Sequence, residues 1–334
     1  MFNSYENKNL KFDTVKIRTR KEYLINTNIQ FNKNYNTNGD LTGIYYNSKN
    51  DKLTPYDLYI GVSYISQSLT LEFSSKILLD DYPKLITPTT FRQCLENINK
   101  LGLCTINVDR IVSDCYFSKV HITNDIDYIL TNDGLSFLNS CVGNYRRFKW
   151  EYYKNEGIRF TKDVKSKDCK ESIVIYNKEK EILSSKNKKF LDLLDNTDRV
   201  IDYFKGKTRF EMELDSPNKI CKFLNIGSSH INYIFGSNIN PLFVQFNKIF
   251  GEGEIENKYF ITNYEDYSMQ AIIEKHNGDL KKIEQEIKDL HVYSSNSRSG
   301  LTNRMKKIKQ LHTEMSNKTH DSTNILAEIR QKLS

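Results

Sequence analysis

The sequence predicts an α+β fold: a largely antiparallel sheet with helices on one face, followed by an α-helical C-terminal region. Three observations lead there. Apolar and polar residues alternate with a period of two in three separate segments, Lys119–Ile126, Ser172–Lys178 and Arg209–Leu214, as they must when successive strand residues point to opposite faces. Further strand-like stretches and capped helices are interspersed through the first 250 or so residues. From about Tyr267 the strand formers thin out and helical spacing takes over.

The elements follow in order. Residues 1–9 are polar. In Asp13–Arg20, Val15 and Ile17 alternate with Lys16 and Arg18 as in a strand. Leu41–Tyr46, Tyr56–Tyr64 and Leu69–Phe73 read as further strands, with loop formers from Asn47 to Thr54 between the first two. Thr89 or Thr90 caps a helix in which Phe91, Cys94, Leu95, Ile98 and Leu101 recur at helical spacing, and Gly102 stops it. Cys104–Val108 is strand-like, and Asp163–Lys170 is a charged turn. A polar loop after Glu181 precedes a helix near Lys189–Leu194. Ser216-Pro217 pairs an N-cap with a first-turn proline, which predicts a helix burying Ile220, Phe223 and Leu224 and ending at Gly227. Asn240-Pro241 repeats the device, with Gly251 closing that helix. Helices over Met269–Lys275 and Leu280–Leu290 flank the turn signal Asn277-Gly278. A linker at Ser294–Ser299 leads to a basic helix, Asn303–Lys309, and a last helix near Asn324–Leu333. The predicted division is 1–262 and 263–334.

At 334 residues the chain has room for a full core and a second unit. With 38% hydrophobic and 27% charged residues it has a globular composition. A net charge of +7 is compatible with a polyanionic partner without demanding one. The six cysteines, Cys94, Cys104, Cys115, Cys141, Cys169 and Cys221, show no zinc-knuckle or CxxC spacing, which predicts reduced thiols in a cytosol. No run approaches about 18 apolar residues and the N-terminus has no signal-type apolar core, so a soluble cytoplasmic protein with no membrane partner is expected.

The chemistry lies on the polar sides of the three alternating segments. Val120, Ile122 and Ile126 oppose Lys119, His121, Thr123 and Asp125; Ile173 and Ile175 oppose Val174, Tyr176 and Lys178; Phe210, Met212 and Leu214 oppose Arg209, Glu211 and Glu213. Taken singly, each is a strand with one solvated face. Side by side, they bring an imidazole, carboxylates, a phenol and basic groups onto one surface, the parts of a metal-dependent phosphodiester-cutting site. Arg146, Arg147, Lys149 and Trp150, with Tyr152 and Tyr153 beyond them, mix basic and aromatic residues as a groove for an unpaired DNA strand does. The Asn277-Gly278 helix pair admits a duplex-reading role, and the basic tail a contact with phosphates or a protein.

Five collinear blocks resemble a known family. They are Phe12–Ile17, Leu69–Leu78, Val120–Ile126, Ile173–Glu181 (with Ile175-Tyr176-Asn177-Lys178-Glu179-Lys180-Glu181) and Thr208–Leu214, together spanning about residues 10–250. They are similar to blocks of the phage and plasmid rolling-circle replication initiation proteins. The resemblance implies an initiator-like nuclease domain over 1–262. It would nick and rejoin one strand at an origin through a 5′-phosphotyrosine, using Mg²⁺ or Mn²⁺. The implied partners are single-stranded or origin DNA and host replication proteins, in a bacterial cytoplasm. Carried residue by residue, it suggests Tyr176 as nucleophile, with Tyr152 and Tyr153 as alternatives. Lys178 and Arg209 would assist at the phosphate, and Glu211, Glu213, His121 and Asp125 would ligate metal. Glu181 is either a further ligand or helix-entry charge. Two departures stand out: His121 occupies a position where the family carries Asp, and no His-hydrophobic-His triplet occurs. The alternative is a non-catalytic relative that keeps the fold as a DNA-binding or phage-associated structural module; a transcription regulator using the C-terminal helix pair is a third reading.

Overall fold

The computed structural model describes residues 10–51, 54–141, 148–153, 157–162, 171–250, 263–276, 278–290 and 298–334. In chain order the strands are β1 (Phe12–Arg20), β2 (Leu24–Thr27), β3 (Asn32–Tyr35), β4 (Leu41–Asn47), β5 (Leu58–Ser63), β6 (Ser68–Ser74), β7 (Cys104–Ile106), β8 (Tyr116–Asp127), β9 (Phe148–Tyr153), β10 (Gly157–Lys162), β11 (Glu171–Asn177) and β12 (Lys207–Leu214). Ten of them form one sheet in the order β3-β4-β5-β6-β1-β8-β12-β11-β10-β9, while β2 and β7 pair separately. Neighbouring strands throughout the large sheet are antiparallel. Strand β1 therefore lies centrally, between β6 and β8.

That central strand carries the irregularity that matters most. Phe12 faces Ile122 and Thr14 faces His121, so two steps along β1 match one step along β8. Asp13 is the extra residue of a β-bulge. The apolar positions shift accordingly, with Phe12, Val15 and Ile17 all fully buried. Beyond the bulge, strict alternation resumes.

One face of the sheet is an aromatic core. Phe12 and Phe117 pack with ring centroids 5.9 Å apart, Phe91 of helix Phe91–Lys100 lies 5.8 Å from Phe117, and Phe235 of helix Ile231–Phe235 lies 5.7 Å from Phe91. Phe246, on helix Pro241–Phe250, covers Phe210. Helices lie against the other face too, which corrects the expectation of a single covered face. Arg209 and Phe210 are successive strand residues and point oppositely; Phe246 meets the second, while Tyr82 and Phe204 lie over the guanidinium of the first. Phe204 belongs to helix Thr197–Phe204 and Tyr82 to the one-turn segments over Ser75–Lys84. Charged groups are buried on this side, and the aromatic rings seal them from water.

Helix Pro217–Leu224 is capped as expected, with Ser216 accepting from the Lys219 backbone N–H. Its left-handed end residue is Asn225 rather than Gly227, and Phe223 is half-buried. The two predicted C-terminal helices are one, Arg298–Leu333; no Gly or Pro follows Gly300 to break it. Gly251 and the charged turn at 163–170 lie outside the described residues.

The chain divides into two compact units, Met1–Ile249 with Arg330–Ser334, and Phe250–Ile329. The smaller unit is helical. Helices Tyr264–Lys275 and Leu280–Asp289 and the first half of Arg298–Leu333 bury Met269, Ile273, Ile283, Ile287, Met305 and Ile308 together. Among the described residues no helix is long and apolar enough to cross a membrane.

Candidate functional site

The three alternating segments are β8, β12 and β11, and they are neighbours in the sheet. Their register aligns Asp125, Arg209 and Tyr176 in one row, Thr123, Glu211 and Val174 in the next, and His121, Glu213 and Ser172 in a third. All nine residues belong to the face opposite the aromatic core. Within that face the ionisable groups fall into two clusters with different surroundings.

The first cluster is closed. Arg209 is fully buried. It donates to both oxygens of Asp125, Nε to Oδ1 at 2.6 Å and Nη2 to Oδ2 at 2.8 Å. Its Nη1 donates to Asp13 at 2.9 Å and to the Tyr82 hydroxyl at 3.1 Å. The bulge delivers Asp13 to this place, where Ser75 Oγ also donates to it at 2.8 Å. The Tyr176 hydroxyl donates to Glu211 Oε1 at 2.8 Å. Lys178 is 2% exposed, pairs with Glu181 and lies under the rings of Tyr82, Tyr176 and Phe204. Glu181 also takes Lys186 at 2.9 Å, and Lys76 donates to Asn187 at 2.7 Å nearby.

The electrostatics follow from this packing. Burial, with Asp13 beside it, raises the Glu211 carboxyl to about 7, against the pull of Arg209 and Lys178. Burial also pushes Asp13 up, but Arg209 and Lys178 outweigh it and the net direction is down. Glu181 is likewise held well below the usual carboxylate range: burial pushes it up, and Lys178, Lys76 and Lys186 overcome that. Burial, then the charge on Glu211, lifts the Tyr176 phenol well above its ordinary value.

The second cluster is more open. Arg159 of β10 forms a two-pronged pair with Glu213, Nη1 to Oε2 at 3.1 Å and Nη2 to Oε1 at 3.2 Å, and Ser172 Oγ donates to Oε2 at 2.7 Å. His121 is the cross-strand neighbour of Glu213. Burial lowers the His121 pKa, with Glu213 opposing, which favours the neutral, ligand-competent imidazole. Further along, Glu72 bridges Lys119 at 2.9 Å and Lys16 at 3.3 Å.

The expected site residues occupy these two different settings. Tyr176 is only 4% exposed and its hydroxyl is engaged. A raised pKa is the opposite of what an attacking phenol needs. Lys178 and Arg209 are sealed beneath aromatic rings, away from any phosphate in solution. The four expected metal ligands are divided between the two clusters. Asp125 spends both oxygens on Arg209, Glu211 accepts from Tyr176, and His121 and Glu213 belong to the other cluster. Among the described residues no three His, Cys, Asp or Glu side chains are grouped to hold a metal. His121 and Glu213 remain as a cross-strand pair of donors. Arg146 and Arg147 lie outside the described residues; Lys149 and Trp150 fall on β9 at the sheet edge, opposite Thr161 and Phe160.

Sequence reasoning missed Asp13, Tyr82, Ser75 and Lys76 as members of the cluster. Asp13 had a signal, the three-residue spacing from Phe12 to Val15 where a regular strand has two. Tyr82 had none, because it lies in irregular short-helical turns containing Leu79 at φ 55°.

No protein-family model matches the chain, and comparison with curated proteins also finds no match.

Proposed function

We propose that the protein nicks and rejoins one DNA strand, as a rolling-circle-type replication initiator. One observation carries the reading. Each of the five sequence blocks on which the resemblance rests contributes a side chain to the closed cluster: Asp13 from the first, Ser75 from the second, Asp125 from the third, Tyr176, Lys178 and Glu181 from the fourth, Arg209 and Glu211 from the fifth. Segments up to 196 residues apart meet in one bonded network. A chance similarity of scattered short blocks has no reason to converge in space.

In this reading the closed cluster is the keystone of the site and not its reacting part. The attacking phenol is assigned to Tyr152 or Tyr153 of β9, since Tyr176 is enclosed. The phenol oxygen forms a bond to phosphorus, the P–O3′ bond breaks, the phenol gives up its proton, and the departing 3′ oxygen gains one. The result is a 5′-phosphotyrosine and a free 3′-hydroxyl, the substrate of a host polymerase in a bacterial cytoplasm. Arg159, in the open cluster, is a partly exposed cation that would offset charge at the phosphate.

The test is a 3′-labelled pool of random-sequence single strands incubated with the full chain and Mn²⁺. Label should migrate with the protein on a denaturing gel, vanish in Tyr152→Phe or Tyr153→Phe, and persist in Tyr176→Phe. Loss in a folded Tyr176→Phe variant alone returns the nucleophile to that residue. DNA binding with no adduct under any divalent metal favours the non-catalytic relative, a reading supported by the commitment of Arg209 and Tyr176 to structural partners.

A further inference from the structure

We infer that the open half of the polar sheet face, from β8 to β4, is a stacking platform for single-stranded DNA. The inference rests on the proposed function and deepens it by assigning the surface and the residues that hold the single strand. The rows of this region follow from register. Lys119, Lys16, Glu72, Tyr59 and Asn47 align across β8, β1, β6, β5 and β4. In the neighbouring row stand Tyr116, Arg18, Thr70, Gly61 and Tyr45. Tyr116 and Arg18 are exposed and the tyrosines at 45 and 59 half-buried, so this half is uncovered where the Arg209 half is sealed.

The aromatic geometry is specific. A Cβ built on Gly61 would lie 2.4 Å from the Tyr59 hydroxyl oxygen and 2.7 Å from its ring carbons. The Tyr59 ring therefore lies along its own strand, over the glycine, instead of standing up from the sheet. Tyr45, directly opposite Gly61, carries its ring 6.1 Å away at an interplanar angle of 21°. Lys16 Nζ sits 5.8 Å from the Tyr59 ring centroid. Rings lying along a sheet offer a face to an unpaired base, whereas a duplex keeps its base faces inside the stack. Lys16, Arg18 and Lys119 meet a single carboxylate, Glu72, in these two rows, a charge surplus that suits a phosphate chain. A protein partner would find here a polar surface with few apolar anchors. The same face continues through His121 to Glu213 and Arg159, so a strand on the platform runs toward the open cluster.

Fluorescence anisotropy with a labelled oligo(dT) of about twenty nucleotides, long enough to cover one such surface, tests this in EDTA with the full chain. Oligo(dT) should bind more tightly than a duplex of equal length. Tyr59→Leu should weaken it at least about fivefold, the low end for losing one stacked base, while Tyr59→Phe keeps wild-type affinity. Lys16→Gln should reduce the salt slope by about 0.7, one phosphate contact on a single strand; this readout serves even if Tyr59→Leu fails to fold. Tyr264→Leu, at an exposed tyrosine of the smaller unit, is the control and should change nothing. Unchanged affinity in a folded Tyr59→Leu variant, an unchanged salt slope in Lys16→Gln, or a preference for duplex overturns the platform. Failure of the nicking proposal reads differently: binding through Tyr59 persists and no covalent adduct forms.

Discussion

Arg209→Met will destabilise the larger unit by about 3–5 kcal/mol, the usual cost of removing one partner from a buried ion network. The guanidinium is fully buried and serves Asp125 through two bonds and Asp13 through a third. Methionine fills similar space and makes none of them, so two carboxylates lose their guanidinium partner in a site that Tyr82 and Phe204 cover. Against a typical total of about 5–15 kcal/mol, that loss brings the protein close to unfolding at room temperature. Urea denaturation monitored by circular dichroism measures it. Adding Asp125→Asn to Arg209→Met should recover part of the loss, because it removes one stranded charge; the two sites touch, so their effects will not add. A single Arg209→Met variant within about 1 kcal/mol of wild type is incompatible with a network that organises the fold.

The same cluster shows what a sequence can and cannot disclose. Period-two alternation put His121 with Asp125, Tyr176 with Lys178, and Arg209 with Glu211 and Glu213 on polar strand faces, because side-chain direction in a strand depends only on parity. Parity does not say what lies above a face. Sealing depends on Tyr82, in turns without periodicity, and on helix Thr197–Phe204, where the Asn196 cap and the buried Val200 and Phe204 lie within a polar stretch that gives little helical signal. Parity also fails at a bulge, which is how Asp13 escaped notice while contacting the most buried cation of the site. The consequence is chemical. Residues that look like nucleophile, acid and ligands when laid out on strands become mutual partners once a lid excludes water, since each charge then finds its nearest opposite. Glu213, His121 and Arg159 keep a less enclosed setting. In the C-terminal region the apolar spacing of Met269, Ile273, Ile283 and Ile287 was legible, but the continuity of Arg298–Leu333 was not, because polar residues neither require nor forbid a helix.

Glu211→Gln should abolish a pH dependence that wild type carries between about pH 4.5 and 7. In the folded protein burial and Asp13 raise the Glu211 carboxyl to about 7, above its ordinary 4.5. Below about pH 4.5 the group is protonated folded or unfolded and contributes nothing to the difference. As pH rises toward 7 the unfolded chain ionises first while the folded protein keeps its proton, so folding stability falls; above 7 both forms are ionised and the loss is complete. At about 1.36 kcal/mol per unit, a shift of this size is worth roughly 3 kcal/mol. Gln resembles the protonated acid and its carbonyl still accepts from Tyr176, so the variant should match wild type near pH 4.5 and exceed it by up to that amount at pH 8. Two neighbours bear on the window. Asp13, whose pKa is lowered, loses its contribution only as pH falls below the ordinary carboxylate range. His121, lowered by burial, gives the opposite slope near its own titration, but it is present in both proteins and cancels in the comparison. Urea midpoints at pH 5, 6, 7 and 8 measure the divergence, and parallel curves for the two proteins would mean that Glu211 is ionised in the fold throughout. Divergence, in turn, identifies Glu211 as a carboxyl that keeps its proton in the fold at pH values where the unfolded chain has lost it, which makes the closed cluster a structural device tuned by protonation and leaves the acid and base work of any strand transfer to the open side.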